Sequence, residues 1–237
     1  MTAAVVLQAR MGSTRLPGKV LALVGGRTML AHCINRLRAQ SNLPVIVATT
    51  TEPEDDLVAR ETERCGADVL RGPADDVLGR FAMAVKAYGL DDLIRATADN
   101  PAVDLDAPLR TLALLHFTGA HHIVERGLPI GTAVEAVSAR AILQADELAT
   151  DPYDREHVTP YIRREERFRA MDGIAPGHVR APKLRLTVDT AEDLDFVRRA
   201  FAVVDVADPA PLSAIIAAAR TLEPLTTARR TSKTETR

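Results

Sequence analysis

Residues 8–19, Gln8-Ala9-Arg10-Met11-Gly12-Ser13-Thr14-Arg15-Leu16-Pro17-Gly18-Lys19, place three cations, two hydroxyls and two glycines directly after an apolar run, Val5 to Leu7. That mixture suits an anion. Gly12 and Gly18 let backbone N–H groups come close to a phosphate, and Arg10, Arg15 and Lys19 bring positive charge to it. The pattern is not a P-loop, because five residues separate the glycines and Lys19 is followed by Val20 rather than by Ser or Thr. It is not the dinucleotide glycine fingerprint either. The chain holds 26 Arg and only 4 Lys, yet position 19 is Lys. A compact ammonium that can sit among several phosphate oxygens is chemically different from a planar guanidinium fork. Taken alone, the stretch reads equally well as a solvated basic turn.

Two carboxylates add to it. Asp99 follows the apolar segment Asp92 to Thr97, and Asp189 follows Leu184 to Val188 just ahead of a helical pattern. If both segments are strands, both acids stand at strand carboxyl ends, the edge where a loop after the first strand also lies. Two carboxylates beside a phosphate loop suit Mg²⁺, which takes one or two protein carboxylates and fills its shell with phosphate oxygens and water. Singly, Asp99 is a turn residue before Pro101, and Asp189 neighbours a capping box formed by Thr190 and Asp193. Jointly, with the loop, they favour a metal.

The elements that must position these groups follow from hydrophobic spacing. Val5 to Leu7 is a buried first strand. Thr28 caps a helix carrying Met29, Leu30, Ile34 and Leu37. Pro44 to Thr50 is a second strand, and its end, Thr50 to Asp56, is an acidic helix start that suits the helix dipole. Asp68 to Arg71 and Asp92 to Thr97 are the third and fourth strands, with a helix opening at Asp75 to Phe81 between them. Strands alternating with helical patterns predict an α/β fold: a mostly parallel, Rossmann-like sheet with helices on both faces. The alternation falters over about 118–183. There His121 to Glu125 and Thr132 to Val137 read as short strands and 139–148 as a helix, with Tyr153 to Ile162 beyond. We read this region as an acceptor-binding and dimerising insertion. Leu184 to Asp189 returns as a strand, Thr190 caps a helix with Leu194, Val197 and Phe201, and a last helix covers 211–220. Residues 1–225 form one expected domain, and the polar 226–237 an expected disordered tail.

Composition narrows the function classes. A 46% hydrophobic and 26% charged chain of 237 residues is that of a soluble globular protein. A formal charge of −2 gives no global attraction to nucleic acid or anionic membrane, so an anion site must be local. The lack of Trp and scarcity of other aromatics weaken base-stacking recognition of nucleic acid. No run is long enough to span a membrane and no signal peptide is visible, so a cytoplasmic location is expected. Cys33 and Cys65 are isolated, and buried free thiols are expected of them.

The stretch from Gln8 to Lys19 resembles the signature of the CMP-sugar synthetases, the sialic-acid and KDO cytidylyltransferases. It is most similar to their polysaccharide-biosynthesis branch, the SpsF-like proteins. Further matches run in family order: Glu54-Asp55-Asp56, Arg71-Gly72 with Asp75-Asp76-Val77-Leu78, Arg95 before Asp99-Asn100-Pro101, Arg155-Glu156-His157-Val158-Thr159-Pro160, and Thr187 to Asp193. The resemblance covers most of the chain and implies a nucleotidyltransferase that binds CTP and transfers CMP to an acidic acceptor, usually as a homodimer. Carried over by position, it implies that Gln8, Ala9, Arg10, Met11, Gly12, Ser13, Arg15 and Lys19 hold the triphosphate, and that Asp99 and Asp189 hold Mg²⁺. Arg71, Asp76 and Arg80 would face the cytidine. Arg95, Asn100, Gly131, Glu135, Glu156 and His157 would lie at the acceptor or the dimer contact.

The chain departs from the family in two places. Ala98-Asp99-Asn100-Pro101 stands where a Gly-Asp-Cys-Pro is usual, and Val124 to Glu135 lacks the usual Asp-Gly-Leu-Asp. A pocket for a nine-carbon sugar acid needs many hydrogen-bond partners, and this segment offers few. A smaller anionic acceptor is therefore expected, a phosphonate or a 2-oxo sugar acid, met by His121, His122, Arg126 or Arg163, although for each of these taken singly ordinary surface is the stronger reading. An acceptor oxygen that is already anionic needs no general base; a sugar hydroxyl would need one, with His157 or Asp189 the candidates. Three alternatives remain: transfer from another nucleoside triphosphate to a sugar phosphate, a non-catalytic CTP or CMP-sugar sensor, and a glycosyltransferase using Asp104-Leu105-Asp106 as its metal motif. At a helix start, N-capping explains that last triplet better.

Overall fold

The computed structural model describes residues 1–204 and 208–222; the expected tail lies outside them. In chain order the elements are β1 (Ala3–Gln8), a small hairpin of β2 (Leu23–Val24) and β3 (Arg27–Thr28), α1 (Met29–Ala39), β4 (Val45–Thr50) and α2 (Asp56–Arg64). Then come β5 (Asp68–Gly72), α3 (Val77–Tyr88), β6 (Asp92–Thr97), α4 (Ala107–Thr118), β7 (His122–Arg126), β8 (Glu135–Ser138) and α5 (Ala139–Leu148). Two short helices, α6 (Pro152–His157) and α7 (Pro160–Arg164), precede β9 (Ala170–Ile174), α8 (Ala191–Ala202) and α9 (Leu212–Leu222).

Seven strands form one sheet in the order β5-β4-β1-β6-β8-β7-β9. The pairs β4–β5, β1–β4, β1–β6 and β7–β9 are parallel, and β8 runs antiparallel to both its neighbours. All six residues of β4 are buried, as expected of a strand covered on both faces. Side chains alternate between two cores. Val6, Ile46, Ala48 and Leu93 pack with Phe81 of α3 and Ile142 of α5. Val5, Leu7, Val47 and Ile94 face Leu30 and Ile34 of α1, Val58 of α2 and Leu115 of α4. A third cluster gathers α9, Ala200 of α8, Leu128, Leu184 and Leu186 beside the sheet. From β1 the chain steps outward through β4 to β5, then returns to β6 on the other flank of β1. The loops after β1 and β6 therefore diverge at a topological switch point, which is where open α/β sheets bind ligands.

Four expectations need correction. Leu184 to Asp189 is not a strand of the sheet; it runs extended, with a single bridge between Ile130 and Arg185. Its backbone is satisfied locally instead, by Leu186 N–H to the Ile130 carbonyl at 2.8 Å and Val188 N–H to the Asp99 carbonyl at 2.9 Å. The Thr132 to Val137 strand is shorter than expected and starts at Glu135. At the Asp104–Asp106 triplet, Asp106 holds the N-cap position of α4 with no side-chain cap bond, while buried Asp104 pairs with Arg110 at 2.6 Å. Cys33 is buried, whereas Cys65 is only half-buried. No helix among the described residues is long and apolar enough to cross a membrane.

Candidate active site

The basic loop is shaped by what holds Met11. Its amide donates to Asp55 Oδ1 at 2.6 Å, and its carbonyl accepts from Ser13 N at 2.8 Å and Gly18 N at 3.0 Å. Asp55 is itself buried and accepts from the Thr50 hydroxyl at the end of β4. It stands at the N-cap position of α2 without capping it, so the acidic helix start serves the loop more than the dipole. Gly18 has φ 69°, a left-handed conformation that costs glycine little, and it opens the single 3₁₀ turn Lys19–Leu21. That turn aims Lys19 across the sheet edge toward the ends of two other segments.

There the Lys19 ammonium donates to Asp189 Oδ1 at 3.1 Å, to Asp99 Oδ2 at 3.4 Å and to the Val188 carbonyl at 2.7 Å. Asp99 is oriented by the Thr97 hydroxyl at 2.6 Å, which also accepts from Asn100 Nδ2 at 2.8 Å. Asp189 receives Arg15 at 3.0 Å and Arg185 at 2.6 Å. Burial pushes the Asp189 carboxyl upward, but Lys19, Arg185 and Arg15 outweigh it and hold it below its ordinary value. Asp193 completes the capping box of α8 and also accepts the Asp189 amide at 2.9 Å, fixing that residue's backbone. Gly131, at φ 88°, passes so close to Thr187 that a Cβ there would lie 2.5 Å from the Thr187 nitrogen. The loop before β8 thus presses on the chain leading to Asp189.

These residues fit a divalent cation in the way Mg²⁺ is usually held, by two carboxylates with the remaining positions left to phosphate and water. Among the described residues no cluster of three or more His, Cys, Asp or Glu could hold a metal by itself. The buried Asn100 Oδ1 beside Asp99 has no hydrogen-bond partner among them, one further oxygen at the same corner.

On the other side of the loop, Arg10 reaches the Ala74 carbonyl at 3.3 Å and Glu156 of α6 at 3.4 Å. Arg80, almost fully buried, donates to the Pro73 and Ala74 carbonyls, so two guanidinium groups brace the turn from Gly72 to Asp76. Asp76 caps α3 through Gly79 N at 2.8 Å and pairs with Arg155, which also bonds Asp146 at 2.9 Å. Asp76 and Arg155 line an open cavity of about 440 Å³ together with Pro73, Asp75, Thr150 and Pro152. Arg71 points elsewhere: its guanidinium holds the Thr50 and Glu52 carbonyls and Asp56. His157 packs edge-on against Tyr153 at 4.4 Å. Just beyond it, Val158 has φ 72° and ψ −57°, and Thr159 N bonds the His157 carbonyl at 2.9 Å. That is a γ-turn of the strained kind, held by a fully buried valine.

The expected acceptor residues divide. Glu135 takes Arg95 on one oxygen at 2.5 Å and buried His122 on the other at 2.6 Å, and Arg95 also reaches Gln8 at 3.3 Å. Burial pushes Glu135 upward, yet Arg95, His122 and Thr159 together hold its carboxyl well below the usual carboxylate range. Arg126 is paired with Asp172 at 2.8 Å. His121 lies at the far edge: its carbonyl accepts Ser138 N at 3.0 Å, and Ser138 pairs with Asp92 at the amino end of β6. A full strand separates it from the phosphate loop, so the fold does not bring it to Asp99 and Lys19. Two residues of the site were not expected, Asp55 and Arg185. Asp55 stood in a matched acidic triplet, a signal that was available; nothing in the spacing of Arg185 marks it.

Residues 4–213 match the cytidylyltransferase family model, and the chain belongs to that family. It is similar to the spore coat polysaccharide biosynthesis protein SpsF of Bacillus subtilis, at 34% identity over 201 residues, 81% of this chain and 83% of that protein. A cytidylyltransferase structure from Leptospira borgpetersenii superposes with a TM-score of 0.87 at 28% identity, covering 94% of this chain and 96% of the other. A CMP-KDO synthetase complexed with CTP shares the fold, with a TM-score of 0.66 at 19% identity over 85% and 99% of the two chains.

Proposed function

We propose that this cytidylyltransferase transfers CMP from CTP to a small anionic acceptor and releases pyrophosphate. The observation that carries the reading is the meeting of Lys19, Asp99 and Asp189 at the switch point, directly after the basic loop. The loop cations Arg10, Arg15 and Lys19 receive the triphosphate, with the amides around Gly12 and Ser13 close to it. Asp99 and Asp189 would hold a divalent cation, Mg²⁺ in this reading, which would supply charge neutralisation on the phosphates. The braced turn from Gly72 to Asp76 forms the wall for base and ribose. An anionic acceptor oxygen attacks the α-phosphorus in line; the bond to the bridging oxygen breaks, and pyrophosphate leaves with its charge taken up by Lys19 and Arg15. Attack by a carboxylate or phosphonate oxygen removes no proton, so the chain's contribution is then positioning and electrostatic stabilisation; attack by the hydroxyl of a cyclised sugar acid passes its proton to a base, for which His157 and Asp189 are the candidates.

Between a 2-oxo sugar acid and a phosphonate, the singly charged carboxylate is favoured. Arg126 is already matched by Asp172, His122 is bonded to Glu135 and His121 stands at the opposite edge, which leaves only exposed Arg163 of the four expected residues for a dianion. The names of the relatives, polysaccharide biosynthesis and KDO activation, support the same arm. Gln8, Arg95, Asn100, Gly131, Glu135, Glu156 and His157 frame the acceptor space, and a homodimer is part of the proposal. Pyrophosphate release with Mg²⁺ and CTP, against ATP, GTP and UTP, over sugar acids and small phosphonates, tests it. Release confined to CTP and one acceptor class supports it. Equal release with another nucleotide, or CTP binding without release across the panel, would sink it.

A further inference from the structure

Lys19 makes three bonds to the protein, to Asp99, Asp189 and the Val188 carbonyl, and an ammonium has three N–H donors. None remains for a phosphate oxygen while these are made. The side chain is only 11% exposed, so water does little to replace a lost partner. The surrounding cluster is also balanced in charge: Arg15, Lys19 and Arg185 stand against Asp99, Asp189 and Asp193. A lone divalent ion approaching such a cluster meets no net field to draw it in.

We infer that Lys19 and the divalent cation compete for the same two carboxylates, and that the nucleotide's phosphates are what draw the ammonium aside and admit the metal. This rests on the CTP reading above. The triphosphate brings several negative charges to the loop. Lys19 exchanges carboxylate oxygens for phosphate oxygens, Asp99 and Asp189 lose their counter-charge, and the site becomes one that attracts a dication. Metal and nucleotide then bind with positive coupling, which must act equally in both directions. Lysine suits this role better than arginine because a compact ammonium on a flexible stem can change partners without leaving a planar fork unmatched.

Protein-bound Mn²⁺, read by water proton relaxation, tests the competition without any turnover. The wild-type chain should bind Mn²⁺ weakly alone and about tenfold or more tightly once CTP is added. Lys19→Met, and Lys19→Gln as a second variant, should bind Mn²⁺ alone at least about tenfold more tightly than wild type, and their thermal midpoints should rise with Mn²⁺. Lys19→Arg, which keeps the charge, should stay weak. Equal Mn²⁺ affinity in wild type and both neutral variants would overturn the competition. Failure of CTP to bind wild type while the neutral variants still gain Mn²⁺ would uphold the competition and reject the functional reading instead.

Discussion

The Met11 amide and the Asp55 carboxylate, 2.6 Å apart, tie the basic loop after β1 to the turn after β4. The bond joins the two loops on one side of the switch point, and Asp55 is too deeply buried for water to take its place. Asp55→Ala leaves the Met11 amide and the Thr50 hydroxyl without their acceptor. We expect a loss of about 1–3 kcal/mol in stability and a raised KM for CTP, because the loop is no longer held to one shape. Chemical denaturation and CTP titration check the two halves; unchanged KM would remove Asp55 from the site.

Lys19→Ala and Asp99→Asn should each lower kcat by roughly 100-fold or more, the first by removing the cation that takes up pyrophosphate charge and the second by removing a carboxylate that would hold the divalent cation. Steady-state kinetics at saturating CTP decide it. Near-normal turnover in either variant counts heavily against the scheme.

Gly131→Ala would put a methyl group within 2.5 Å of the Thr187 nitrogen at a φ of 88°. Backbone cannot yield as a side chain can, so the segment leading to Asp189 must move. A destabilisation of at least about 1 kcal/mol is expected, together with weaker metal dependence of turnover. A variant with wild-type melting and metal response would show that the two loops are not coupled.

Glu135 gives a pH prediction with a definite sign. Its folded carboxyl is held well below the ordinary range by Arg95 and His122 against the effect of burial. Between the folded and unfolded values the unfolded chain binds more protons, so stability rises with pH there. The contribution is complete above the ordinary carboxylate range, about pH 4–5, and is lost as pH falls toward the folded value. Glu135→Gln should therefore cost about 3 kcal/mol at neutral pH and progressively less in acid. Unfolding free energies of both proteins across that range would show parallel curves if Glu135 were unpaired.

Much of the fold was legible because β1, β4, β5 and β6 each combine an apolar run with a following helical period. The order of these elements alone puts the loop after β1 and Asp99 after β6 at one edge. Leu184 to Val188 misled for a physical reason: it is apolar and alternating, yet its pairing partners are loop carbonyls at Ile130 and Asp99 rather than a strand. His121 and His122 differ by one residue, yet His121 stops just short of β7 while His122 opens it and is buried against Glu135. Sequence spacing holds no record of which arginine meets which carboxylate. The Arg185–Asp189, Arg155–Asp76 and Arg126–Asp172 pairs therefore emerged only from the packed chain.

The central claim is the transfer of a cytidylyl group, and CTP labelled in its α-phosphate tests it most directly. With Mg²⁺ and a 2-oxo sugar acid, the account predicts label in a product containing both CMP and acceptor, with one pyrophosphate released for each. Label recovered only as free CMP or unreacted CTP, from protein shown to bind CTP, would contradict it.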